Sequence, residues 1–388
     1  MKNFVLTVFC ILVSLTFGSC NHPSAEKHLT DRTSKNQNTE KVALPDHNLT
    51  GKPKQLTDLA NFIAGMPIDS SSQMYTYSLS SAWKSYSEES ATVWNKFKKE
   101  SDNISNWRTK NIPLSEQPYQ TLFYPFGGPD YLFANIFFPK ATNYILIGLE
   151  NPGSVPQIDS SNKDSLNRIL NLYKKAIEDV IQLSFFRTLD MKSDLTSKAI
   201  DGTAPIIMLF LARSGKEVYD VIPRNIDDEG NMAPVTGKKK YNAIQIDFKN
   251  PGDTSLRHVY YVSVNLADGN LLKNKGILTY LKNLDSKSIS MIKSATYLMH
   301  KSYFSIIRNT VLNKSILILQ DDSGISYKFY DQTQWDISLF GKYTKPIPMF
   351  IDHYEADLFA AYKNVSNPIN FRYGYNLESN ILLALKKQ

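Results

Sequence analysis

The feature that most constrains the fold of this chain is a change of hydrophobic period part-way along it. Up to about Ala212 the long apolar patterns repeat at helical spacing, and from Val218 onward they alternate or run apolar in strand-length pieces. Leu56, Leu59, Phe62 and Ile63 form one helical stripe, and Leu79, Trp83, Tyr86, Val93, Trp94 and Phe97 form a second. Leu166, Ile169, Leu170, Tyr173 and Ile177 continue the pattern along a long helix, while Pro205 to Ala212 reads as a short buried one. The pieces Val218–Ile222, Ala243–Phe248 and Val259–Leu266 are then punctuated by Asp227–Gly230 and Asn250–Asp253, the turn chemistry of an antiparallel meander. Helices followed by strands, without regular alternation, predict an α+β fold: an antiparallel sheet with packed helices and a helical N-terminal part.

Between the helical stripes lies Thr121 to Pro139, TLFYPFGGPDYLFANIFFP. It predicts a short strand, a turn at Gly127-Gly128 and a helix with Pro129 at its first position. Strand, glycine turn and helix start is also the arrangement of an anion site, but Asp130 already brings negative charge into the first turn. The next strand, Tyr144 to Leu149, ends at Glu150. Arg187 and Arg213 each terminate an apolar run, where a cation complements a helix C-terminus.

Ser294 to Asp322 holds the strongest candidates for chemistry. Lys293 to Arg308 reads as a helix that places His300 and Phe304 on one face with Arg308, and Ser315 to Leu319 reads as a buried strand ending in Gln320-Asp321-Asp322-Ser323-Gly324. Two adjacent carboxylates there suit a cation, or an acid or base beside His300; the same residues suit a tight hairpin with Ile325 to Tyr330 returning. Trp335 to Tyr343, Phe371 to Tyr375 and Ile381 to Leu385 read as strands around a helix at Tyr354 to Tyr362. His258, His300 and His353 are the histidines beyond residue 55. No phosphate-loop, nucleophile-elbow or zinc motif occurs, so no cofactor and no metal is expected.

Residues 1–19 resemble a bacterial lipoprotein signal: Lys2, an apolar run from Phe4 to Phe17, then Phe17-Gly18-Ser19-Cys20. Fourteen residues fall short of the roughly 20 needed to span a bilayer. The resemblance implies cleavage before Cys20, acylation of Cys20 (palmitate among its chains) and, with Asn21 following, residence in the outer membrane. Cys10 is the other cysteine, so a processed chain would have no thiol but the acylated one. Residues 20–55 are polar and aperiodic and read as a flexible tether, whose root-mean-square span is about 30–35 Å. Residues 56–115 are expected to be helical and 116–388 to form the mixed body.

The stretches Tyr124–Asp130, Tyr144–Glu150, Lys293–Arg308 and Leu319–Gly324 resemble, over about Tyr119 to the end, a group of secreted or lipid-anchored proteins of Gram-negative bacteria. No activity comes with that resemblance. The expectation is a non-catalytic envelope lipoprotein with a protein, glycan or lipid partner, Asp130, Glu150, Arg187, Arg213 and Arg308 being candidate binding residues. The alternative is a hydrolase using His300, Asp321 and Asp322. The formal charge of +7 is spread without a dense basic block, which argues against nucleic acid.

Overall fold

The computed structural model describes residues 53–113, 119–158, 163–183, 196–197, 200–235, 237, 240–365 and 367–387. In chain order the principal elements are α1 (Pro53–Ile63), α2 (Ser81–Asn111), β1 (Tyr119–Tyr124), α3 (Tyr131–Phe137), β2 (Ala141–Gly148), α4 (Lys163–Leu183) and α5 (Ala204–Arg213). They continue with β3 (Glu217–Ile226), β4 (Met232–Pro234), β5 (Ala243–Lys249), β6 (Arg257–Ser263), α6 (Lys275–Lys282), β7 (Ser288–Ile292), α7 (Ser305–Lys314), β8 (Ser315–Gln320), β9 (Trp335–Gly341), α8 (Ala356–Tyr362) and β10 (Asn380–Lys386).

The protein is α+β, and its principal sheet has ten strands in the order β9-β10-β8-β7-β1-β2-β6-β5-β3-β4. The expected antiparallel sheet is corrected to a mixed one. The five central strands, β8-β7-β1-β2-β6, run parallel, and antiparallel pairs extend both flanks. Parallel neighbours need crossovers, and α3 carries the chain from β1 to β2 as α7 carries it from β7 to β8.

Those two crossovers lie on opposite faces. Leu122, Tyr124, Tyr144, Leu146, Ile289 and Met291 point into the core built with α1–α5. Phe123, Ile145, Ile147 and Ile292 point into a second core built with α6, α7 and α8. Because both faces are covered, the central strands bury most of their side chains and lose the apolar–polar alternation of a half-exposed sheet. Each fully buried Leu, Ile or Phe there contributes about 1.5–3 kcal/mol.

The N-terminal helices are present as expected. Ser80 caps α2 by accepting from Trp83 N at 3.2 Å, while Trp83 Nε1 donates to Phe62 O at 3.2 Å and fixes α2 on α1. Three local expectations are corrected. Lys293 to Arg308 is not one helix: Ser294, Thr296 and Tyr297 take positive φ, two single 3₁₀ turns follow, and the helix starts at Ser305. Ile325 to Tyr330 is not a returning strand, because β8 already pairs with β7 and β10. Phe371 to Tyr375 is a loop whose aromatic rings pack inward.

Candidate functional site

Numbered along the chain, the parallel strands β1, β2, β6, β7 and β8 stand in the order 3-2-1-4-5. From β1 the chain winds toward one edge and from β7 toward the other, so β1 and β7 flank a topological switch point. Loops leave such a point in opposite directions and open a crevice beyond the carboxyl ends of the strands. A cavity of about 300 Å³ lies there, lined by the ends of β1, β2 and β7 and the loops that follow them.

Its wall begins with the glycine turn. Gly128 has φ +57° and donates from N to Ile147 O at 3.1 Å, laying the turn across the end of β2. Gly148, the last residue of β2, is where they meet: a Cβ there would stand 2.4 Å from Glu150 Oε2 and 3.0 Å from Gly128 Cα. Glu150 is buried and lines the cavity, and its Oε2 accepts from Leu149 N at 3.1 Å and Tyr261 OH at 2.8 Å. Among the described residues nothing donates to Oε1.

The floor is an ion pair. Lys293, just past β7, places Nζ 2.7 Å from Asp130 Oδ2 and 3.3 Å from the Phe133 ring centroid, with both side chains 2% exposed or less. Burial pulls the Lys293 ammonium below its ordinary range, and Asp130 opposes that fall. Asp130 also accepts from Tyr124 OH at 3.0 Å and caps α3 by accepting from Phe133 N at 3.1 Å, so Pro129 precedes the helix rather than opening it. This disposes of the anion site, since α3 is a seven-residue helix whose first turn is already capped by a carboxylate.

Backbone strain gathers at the same place. Of the five non-glycine residues with positive φ among the described residues, Phe126, Ser294 and Thr296 line the cavity and Tyr297 adjoins it. Such conformations cost about 1–3 kcal/mol each and persist where surrounding structure enforces them. Asp321 supplies part of that enforcement. It is fully buried behind Ser294, accepting from Ser294 N at 3.1 Å and from Ser323 N and Oγ at 3.2 and 2.6 Å.

The other candidate residues fall elsewhere. Asp322 accepts from Tyr297 OH and from Asn380 Nδ2 at 2.9 Å. His300 lies across the Tyr297 ring from the crevice, in a separate surface groove with His353 and Glu355, its Nδ1 3.7 Å from Glu355 Oε1. Burial and the neighbouring His353 push His300 down to about 3, so it is neutral at physiological pH. His300, Asp321 and Asp322 thus share a region without facing one cavity. Arg213 stacks on Trp94 at 5.5 Å; Arg308 donates to Met299 O and Lys301 O at 2.8 and 3.0 Å and lies over Phe329. Arg187 and Cys20 lie outside the described residues. Lys293, Tyr261 and Gly148 were not singled out as site residues from the sequence.

Burial and the Asp322 carboxylate push Asp321 up from its ordinary 3.8 to about 7. Between those values the folded protein binds more protons than the unfolded chain, so this residue lowers stability as pH rises through that interval. Asp321→Asn is expected to flatten that decline, measured as the slope of stability against pH in urea unfolding, while its amide nitrogen gives up one of the bonds that the carboxylate accepts. A variant whose stability falls as steeply as that of wild type across the same interval would show that the carboxylate carries no such penalty.

Comparison with family models, curated proteins and solved structures found no significant match. The geometry stands alone.

Proposed function

We propose that the crevice binds a nucleoside without phosphates, and that the protein works as a ligand-binding component of the cell envelope anchored through Cys20. The observation that carries this is the place of Glu150. It lies two residues past the end of the second strand of a 3-2-1-4-5 set, twenty-two residues after Gly128 in the turn that follows the first strand. In dinucleotide-binding folds an acidic residue about 20 residues beyond the glycine turn accepts hydrogen bonds from ribose hydroxyls. Glu150 Oε2 is held by protein donors, which leaves Oε1 for that task.

The surroundings define the rest of the ligand. Asp130 and Glu150 against Lys293 give the lining a formal charge of −1, and the starts of α3 and α7 beside it are already capped by Asp130 and Asp268. A pyrophosphate would be repelled, whereas a nucleoside with a neutral or cationic 5′ substituent suits the charge. Phe126, Leu266 and Phe304 offer apolar faces for a base.

Titration calorimetry with adenosine, S-adenosylmethionine, ATP, NAD and glucose tests this directly. Adenosine or S-adenosylmethionine should bind while ATP and NAD do not. Glu150→Gln should weaken binding by about 10- to 100-fold, the size of a lost hydrogen bond to a charged group. Binding of glucose alone would reassign the hydroxyl pair to a saccharide, and no binding by any of the five would remove the proposal.

A further inference from the structure

The crevice end of the molecule carries a second property. Among the described residues eight large apolar side chains are well exposed, and all but Leu79 belong to loops at the carboxyl ends of the parallel strands. Leu149 follows β2, Leu272 follows β6 and Tyr303 follows β7. Met349, Ile351 and Tyr354 sit between β9 and β10. That connection opens at the same end, because Gly341 pairs with Asn380 and Gln320 pairs with Leu382 beside it.

Part of this set borders the cavity. Leu149 lines it while remaining 52% exposed. Tyr303 packs on Phe304, and Phe350 packs on Tyr375 with ring centroids 5.3 Å apart; Phe304 and Tyr375 are both cavity walls. The turn Lys345-Pro-Ile-Pro-Met-Phe-Ile-Asp-His-Tyr354 thus projects apolar tips from an aromatic base. Around them stand Lys273, Lys301, Lys328 and Lys345 with exposed Asp352 and Asp357 among them, while Asp268 is spent capping α7 through Ser305 N and Ile306 N and Glu355 accepts from Tyr327 N at 3.1 Å.

Apolar and aromatic tips set among more lysines than free carboxylates suit a surface that enters the headgroup layer of an anionic bilayer. No helix among the described residues is long and apolar enough to cross a membrane, so contact would be with the surface. The sequence before α1 fits the same occupant: an apolar run from Phe4 to Phe17, then Cys20, with thirty-two residues between that cysteine and Pro53. We infer that the body docks on an anionic lipid surface through this rim, so that the mouth of the crevice opens at the headgroup layer. The inference concerns the rim and is independent of what the crevice holds.

The test uses the full chain with Cys10→Ser and Cys20→Ser, so that no acyl group drives binding. A single cysteine is introduced as Ile351→Cys or, as a control on another surface, Leu79→Cys, and each is labelled with an environment-sensitive fluorophore. With vesicles of phosphatidylethanolamine and phosphatidylglycerol the label at 351 should shift to the blue and the label at 79 should not, the shift shrinking with phosphatidylcholine alone or with added salt. Met349→Ser combined with Ile351→Ser should weaken partitioning by about tenfold or more. Equal shifts at 351 and 79, or none, would overturn the inference by assigning adsorption to the N-terminal run or to nothing. A shift at 351 that needs protein concentration and no vesicles would overturn it in favour of a second copy. Adenosine titration of the same proteins reports the crevice separately.

Discussion

Asp130→Ala should cost the fold about 3–5 kcal/mol, the loss measured when one partner of a buried ion pair is removed. Lys293 has 1% of its side chain exposed and Asp130 2%, so neither charge has water to fall back on. With Asp130 gone, the ammonium keeps the Phe133 ring and loses the carboxylate that offsets its burial, while Tyr124 OH and Phe133 N lose their acceptor. A second change should return most of the loss: Asp130→Asn with Lys293→Met removes both charges and keeps the cap on Phe133 N, while the amide nitrogen donates to the Tyr124 hydroxyl in place of the oxygen that accepted from it. That double variant should unfold within about 1–2 kcal/mol of wild type. The deficit of Asp130→Ala has a direction in pH. A lysine held below its ordinary range binds fewer protons folded than unfolded, so stability should recover as pH rises toward the unfolded lysine value. Urea unfolding followed by circular dichroism reads all three variants. A loss under about 1 kcal/mol for Asp130→Ala would mean that Lys293 reaches water, and the floor of the crevice would have to be redrawn.

The same lysine shows where the sequence stops being legible. The helical stripes of α1, α2 and α4 declare themselves because each buries one face against a single core, and α5 shows itself as an apolar run buried all round. The central strands do not declare their partners. A strand covered on both faces reads as a short apolar run, and nothing in its period states whether its neighbour is parallel. The antiparallel expectation rested on the turns at Asp227–Gly230 and Asn250–Asp253, and those turns do join antiparallel strands, β3 to β4 and β5 to β6. They lie on one flank, away from the switch point.

The strand that completes the switch point was missed altogether. β7 reads Ser-Ile-Ser-Met-Ile, and its serines are buried with partners at hand: Ser288 donates to Lys314 O at 3.1 Å and Ser290 lies 2.7 Å from Ser315 Oγ. Small polar residues satisfied within a core erase the apolar signal on which strand recognition depends. Without β7, Lys293 looks like the start of a helix rather than the end of a strand. The strained residues after it carry no composition that would reveal positive φ, which is imposed by contacts such as Asp321 with Ser294 N and Tyr375 OH with Ser294 O at 2.7 Å. Asp130 and Glu150, by contrast, were readable as candidates because a glycine turn and a strand end flank them in the sequence.

Gly148→Ala should abolish nucleoside binding while leaving the protein folded. The alanine Cβ would meet Glu150 Oε2 at 2.4 Å and the Tyr261 hydroxyl at 2.6 Å, distances at which something has to move. β2 is bonded on both sides, to β1 and to β6, so the strand end has little room to shift. The carboxylate is the mobile partner. When it swings away it gives up its bonds from Leu149 N and Tyr261 OH together with the orientation that aims Oε1 at the ligand. We expect adenosine affinity to fall by at least about 100-fold, as two hydrogen bonds to one charged group are misplaced at once, with a stability loss of about 1–3 kcal/mol for the overpacked site. Tyr261→Phe in the same chain removes the hydroxyl clash and should restore part of the affinity, an outcome that general unfolding would not produce. Calorimetric titration beside a thermal melt separates the two effects. If Gly148→Ala binds adenosine as tightly as wild type, Glu150 is not the group that receives the ribose, and the nucleoside would have to be held by the Lys293 side of the crevice instead.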